Sequence, residues 1–84
     1  MTSKNAFYPA DPAGMALVEM ESYCAAHPNS PSAVHRPALW IRRRLWIALL
    51  GASVEEGIVG IGCTVKTALR DFDIQYMAGL RSAE

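Results

Sequence analysis

The sequence has few cysteines and no net charge, and each shortage excludes a class of protein. Two cysteines in 84 residues are too few for a disulfide scaffold, so we expect one small domain held by a hydrophobic core. Eight basic residues balance eight acidic residues, so no overall charge attracts nucleic acid or an anionic membrane. Apolar residues make up 51% of the chain and charged residues 19%, a balance typical of a packed domain.

Long hydrophobic runs are also missing. The longest uncharged apolar stretch, residues 45–54, has ten residues, whereas a helix that spans a bilayer needs about twenty. Residues 1–10 lack the apolar core of a secretory signal and are interpreted as an N-terminal tail before a single domain at 11–84. We therefore expect a cytoplasmic protein with no transmembrane segment and with reduced cysteines.

Prolines and glycines divide the chain into a first half of short segments and a second half of longer ones. All five prolines lie within the first 37 residues, and five of the six glycines lie beyond residue 50. Asp11-Pro12 is a typical helix start, and apolar residues then recur every three or four positions. The pattern predicts a first helix at about 12–26.

A second helix is predicted after the boundary at Arg36-Pro37, over about 37–50, with Gly51 in the C′ position. Its apolar residues form three ridges around the helix, and three consecutive arginines separate them. A helix that is apolar nearly all round is usually buried on more than one side.

Residues 53–80 are open to two interpretations. The β-branched residues at 58–63 favour a strand. However, Ser53-x-x-Glu56 fits a capping box, and apolar residues keep a three-four spacing in phase for 26 residues. We therefore predict one long helix at about 54–80, or two coaxial helices hinged near 60–63. The resulting fold is all-α, a three-helix bundle with two short helices on a long C-terminal one.

Glycines within this predicted helix need an explanation, since each costs about 1 kcal/mol relative to alanine. They are Gly57, Gly60 and Gly62. The simplest explanation is that another helix packs closely against the glycine-lined side.

Local charge is less balanced than the total. The 33 residues from Ser22 to Val54 contain no acidic side chain but four arginines, which are Arg36, Arg42, Arg43 and Arg44. Trp40 and Trp46 lie four positions from an arginine, a spacing that permits cation–π contact on a helix. Such a basic-aromatic patch suits RNA, DNA or lipid head groups. The alternative is that the arginines lie at the rim of a buried helix and pair with acidic residues elsewhere.

Residues that could carry chemistry are few. The soft metal ligands are Cys24, His27, His35 and Cys63, and their spacing matches no zinc motif. Cys24 and His27 could form a nucleophile pair, but no orienting third group or oxyanion motif accompanies them. There is no P-loop, dinucleotide fingerprint or HExxH motif. We therefore expect no metal, no cofactor and no enzymatic activity.

Apolar surface in excess of what three helices can cover predicts association with a protein partner, either as a homodimer or as an adaptor or subunit of a larger assembly. The predicted partner-binding residues lie on the second helix and are Trp40, Arg42, Arg43, Arg44, Trp46, Ile47 and Leu50. The alternative function is a nucleic-acid-binding module that uses Arg36 and the three consecutive arginines.

Overall fold

A computed structural model describes residues 12–82, which form an α+β arrangement of three helices and three strands. In chain order the elements are α1 (Pro12–Ala26), α2 (Pro31–His35), β1 (Ala38–Arg42), β2 (Leu45–Leu50), β3 (Ile58–Gly62) and α3 (Val65–Ser82). The prediction of an all-α helical bundle is therefore wrong. Its first helix does occupy the predicted residues, whereas the predicted tail at 1–10 and the Asp11 cap lie outside the described residues.

The predicted second helix is instead an antiparallel β-hairpin. Arg42 pairs with Leu45 across a turn formed by Arg43 and Arg44, which have φ values of 52° and 69°. Two successive left-handed residues make a type I′ turn, the turn whose twist matches that of a hairpin. The composition predicted a helix here because a strand that is apolar on both faces contains the same residue types as a helix that is apolar all round.

The predicted long helix is also wrong, since β3 and α3 replace it. The Ser53 hydroxyl accepts the Glu56 N–H at 3.2 Å, as in a capping box. However, the Gly57 N–H also bonds to the Ser53 carbonyl at 2.7 Å, and this closes a turn. The true helix start is Thr64, because Thr64 and Thr67 cap each other: the hydroxyl of Thr64 accepts the Thr67 N–H at 3.1 Å, and the hydroxyl of Thr67 accepts the Thr64 N–H at 3.0 Å.

Helix α3 lies directly against a sheet whose strand order is β1-β2-β3. A Cβ atom on Gly60 would overlap the carbonyl oxygen of Ala68 and the backbone of Phe72. Gly62 meets Thr67 and Ala68 in the same way. The expected packing of one helix against a glycine-lined helix is therefore wrong: Gly60 and Gly62 belong to a strand that α3 approaches closely, and Gly57 lies in the preceding turn against Leu50 and Ser53.

The core forms between α3, the sheet and α1. Its fully buried residues include Ala48, Leu69 and Phe72, and Met20 and Tyr23 of α1 pack against them. No helix within residues 12–82 is long and apolar enough to cross a membrane.

Candidate protein-interaction surface

The strand register divides the sheet into two faces, since directly opposed residues of antiparallel strands share a face. The helix face packs against α3 and the core, and consists of Leu39, Ile41, Trp46, Ala48, Leu50, Ile58, Gly60 and Gly62. The open face lies on the other side, and consists of Ala38, Trp40, Arg42, Leu45, Ile47, Leu49, Val59 and Ile61.

The open face is apolar at seven of its eight positions, Arg42 being the exception. A sheet with water on one side normally alternates apolar residues inward with polar residues outward. Here Leu45 and Ile61 are 40% and 46% exposed, and the helices pack against the opposite face. The open face therefore has the composition of a buried surface. Within residues 12–82, however, no helix or strand covers it.

The hairpin carries the predicted partner-binding residues but divides them between the two faces. Trp40, Arg42 and Ile47 lie on the open face, together with its other apolar residues. In contrast, Trp46 and Leu50 lie on the helix face and pack against the core. Trp40 and Trp46 therefore belong to opposite faces of the sheet, although both also line one groove beside α1.

Three arginines are exposed at the tip of the hairpin, where β1 ends and β2 begins. Arg36 lies at the other end of β1, where it caps α2 with a φ of 50°. It forms an ion pair with Glu21 of α1, and this hydrogen bond lowers the pKa of the Glu21 carboxyl. Because β1 extends by about 3.3 Å per residue, the predicted basic patch is split between two ends of a strand.

An apolar groove of about 610 Å³ lies between α1 and the helix face of β1. Its lining residues are Ala16, Leu17, Met20, Pro37, Leu39, Trp40, Ile41 and Trp46. Ile41 is 49% exposed and Leu17 is 64% exposed, so the groove is open to solvent. The sequence pattern predicts Trp40 and Trp46 as partner-binding residues of a second helix and does not bring them together with α1, so it misses the groove.

The two edges of the sheet differ. On β3, the outward N–H of Ile61 donates to the Asp71 carboxylate at 2.9 Å, and a charge at this position blocks further strand pairing. On β1, Arg42, Trp40 and Ala38 bond to β2, because the residues that flank a two-residue turn form a bonded pair and the pattern then alternates. The backbone groups of Leu39 and Ile41 therefore face outward, with no partner within residues 12–82.

The residues considered for chemistry make separate contacts within residues 12–82. Cys24 is buried with its thiol 3.8 Å from the Ser32 carbonyl, and burial raises the pKa of the thiol. The His27 ring packs instead on Tyr23, with ring centroids 4.6 Å apart. Cys63 is exposed beyond the end of β3, and no group of three or more metal-ligating side chains occurs in the described residues.

Comparison of the chain with protein-family models, with curated proteins and with solved structures gives no match.

Proposed function

We propose that this chain is a non-catalytic protein that acts by association with protein, either with itself or with a larger partner, through the open face and its flanking hairpin. The observation that carries the proposal is the open face itself, apolar at seven of eight positions. Burial of one isoleucine or leucine side chain contributes about 1.5–3 kcal/mol. Several such residues on one flat surface supply the free energy that a protein interface needs.

Trp40 and Arg42 suit this role because they lie side by side with the apolar residues. Tryptophan and arginine are the residue types most enriched among those that dominate binding energy. Trp40 is half-buried on the open face, and Arg42 is exposed at its margin. Arg43 and Arg44 extend the positive charge beyond the sheet, where they orient acidic groups of a partner.

A nucleic-acid-binding module is the second candidate, because the hairpin tip projects three exposed arginines beside Trp40. The two functions respond differently to salt. Binding to phosphates weakens steeply as salt concentration rises, whereas an apolar interface is retained or strengthened. The split between Arg36 and the tip favours protein association over this candidate.

Site-specific photo-cross-linking in cells tests the proposed function. A photoreactive amino acid replaces Ile61 of the open face in one variant and Lys66 of α3 in the control, since both side chains are exposed. We expect protein adducts from position 61 and few from position 66. Absence of adducts at both positions, or equal yields, would contradict the proposal, and adducts with nucleic acid would support the second candidate.

A further inference from the structure

We propose that two copies of this chain pair edge to edge through antiparallel β1 strands, with Leu39 of each copy opposite Ile41 of the other. The inference rests on the proposed association function and names its first partner as a second copy. The pairing would join two three-stranded sheets into one sheet of six strands.

The two edges of the sheet are unequal. The Asp71 carboxylate accepts the outward N–H of Ile61 on β3, and its charge at that edge opposes the approach of a new strand. Within residues 12–82 no side chain bonds to the β1 edge, and Leu39 and Ile41 each turn an N–H and a C=O outward there. An exposed edge of this kind is a template for another strand.

The register follows from which residues can bond. In a symmetric antiparallel pair only outward-facing residues exchange hydrogen bonds. Pairing of Leu39 with its own copy would bring Ile41 opposite Pro37, which has no N–H. Pairing of Ile41 with its own copy would bring Leu39 opposite Arg43, which lies in the turn. Leu39 opposite Ile41 is the register that satisfies all four residues of the two copies.

This register brings Trp40 of one copy directly opposite Trp40 of the other. The position is a non-hydrogen-bonded pair, where cross-strand side chains lie closest, and aromatic pairs there contribute up to about 1 kcal/mol. Both indoles lie on the open face. The two open faces therefore become one continuous apolar surface that a further protein could cover.

On the helix face, the groove gives the second copy room. Ile41 is 49% exposed and lines this groove with Leu17. In the paired register the Leu39 and Ile41 side chains of both copies lie together along the seam and cover one another. This burial adds apolar contact to the backbone hydrogen bonds.

Packing of the open faces of two copies on one another is the competing arrangement, and it is small. Three strands at about 4.8 Å spacing and six residues at about 3.4 Å give a footprint of roughly 14 by 20 Å. A standard interface buries about 800 Å² on each partner. Face-to-face packing of two copies alone is therefore smaller than a standard interface and adds no backbone hydrogen bonds, whereas the edge pairing gains backbone hydrogen bonds as well as apolar contact.

Disulfide cross-linking tests the register directly. In a Cys63→Ser background, Trp40→Cys places two thiols at a non-hydrogen-bonded pair, within the Cα separation of about 4.4–6.8 Å that a disulfide requires. Ile47→Cys is the matched control, because three strand spacings separate its copies by about 14 Å. We expect oxidation to yield a covalent dimer from the first variant only.

A second variant keeps both tryptophans, in case Trp40 is needed for pairing. Ala38→Cys combined with Arg42→Cys puts each new cysteine opposite the other type in the second copy, so a doubly linked dimer is expected. Failure of both cross-linked designs, or a covalent dimer from Ile47→Cys alone, would overturn the edge pairing.

Charge substitution gives an independent readout by light scattering. Ile41→Lys puts a lysine on the β1 edge, and Ile61→Lys puts one on β3 at nearly equal exposure, 49% and 46%. We expect a dimer for the unmodified chain and for Ile61→Lys, and a monomer with unchanged circular dichroism for Ile41→Lys. A monomeric unmodified chain, or an equal effect of both substitutions, would contradict the inference.

Failure of the inference is distinguishable from failure of the proposed function. If the purified chain is monomeric while position 61 still cross-links other proteins in cells, the edge pairing is wrong and the association function stands. If neither dimer nor adducts form, both are wrong.

Discussion

Tyr23 and Asp73 lie 50 positions apart in the sequence, yet the Tyr23 hydroxyl donates to the Asp73 carboxylate at 2.6 Å. The same carboxylate accepts the backbone N–H of Ser32 at 2.8 Å and its hydroxyl at 2.7 Å. Ser32 is fully buried. One carboxylate of α3 therefore holds both α1 and α2 in place, and it positions α1 beside the groove.

Tyr23→Phe should destabilise the fold. The substitution removes a hydrogen bond to a charged group, which is worth about 1.5–3 kcal/mol, and leaves the ring in place. Urea denaturation followed by circular dichroism measures the loss. Tyr76→Phe is the control, because its hydroxyl contacts exposed His35 at 3.0 Å; equal losses in the two variants would refute a special role for Tyr23.

The pH dependence of stability should show the same bond. Burial, and then the hydrogen bond to Asp73, raise the pKa of Tyr23 above its ordinary value of 10.0. The folded state therefore holds the Tyr23 hydroxyl proton more tightly than the unfolded state. The contribution of this group to the free energy of unfolding is complete below about pH 10 and is lost as the pH rises further. Denaturation at increasing alkaline pH should show that the free energy of unfolding falls more steeply for the unmodified chain than for Tyr23→Phe. Parallel pH profiles would contradict a role for the Tyr23 proton.

Gly60→Ala should be strongly destabilising, since the new methyl group would overlap the backbone of α3. Overpacking typically costs about 1–3 kcal/mol, and more where the obstacle is backbone that cannot move aside. Gly79→Ala is the matched control, because a methyl group there would meet nothing within 4 Å beyond its own turn of helix and alanine gains about 1 kcal/mol over glycine in a helix. Thermal denaturation should shift in opposite directions for the two variants, and a shared direction would contradict the packing described.

The same glycines show why the fold was only partly predictable. Local signals located α1, because Pro12 at the helix start and the following spacing act within one element. Residues 58–62 were ambiguous, since glycine and isoleucine at three-four spacing fit a helix as well as a strand. What decides for the strand is the approach of α3 to Gly60, a contact that local sequence does not encode.

The candidate surface was predictable in composition but not in arrangement. Excess apolar residues around Trp40 and Ile47 predicted an interaction surface, and these two side chains do lie on the open face. A helix would also have grouped Trp46 and Leu50 with them, whereas the period of two in a strand sends Trp46 and Leu50 to the core. The free edge at Leu39 and Ile41 depends on strand order, which no local pattern specifies.

Asp71→Ala should open the second edge of the sheet. It leaves the outward N–H of Ile61 without its carboxylate partner, and an unguarded edge promotes further strand pairing. We expect species larger than those of the unmodified chain in light scattering as concentration rises. Gln75→Ala is the control, since Gln75 donates to Asp71 at 3.4 Å whereas the Ile61 N–H is held by Asp71 itself; unchanged particle size for Asp71→Ala would show that the carboxylate does not guard the edge.

Replacement of Arg43 and Arg44 by Asn and Gly should stabilise the hairpin. Both arginines have left-handed φ values, 52° and 69°, which cost a non-glycine residue roughly 1–2 kcal/mol, and Asn-Gly is the preferred pair for a type I′ turn. We expect a gain of about 1 kcal/mol in urea denaturation, with the edge dimer retained. Arg43→Lys with Arg44→Lys is the control that keeps charge and backbone strain. Lost stability in the Asn-Gly variant would mean that the arginine side chains stabilise the turn, and a lost dimer would mean that association depends on their charge.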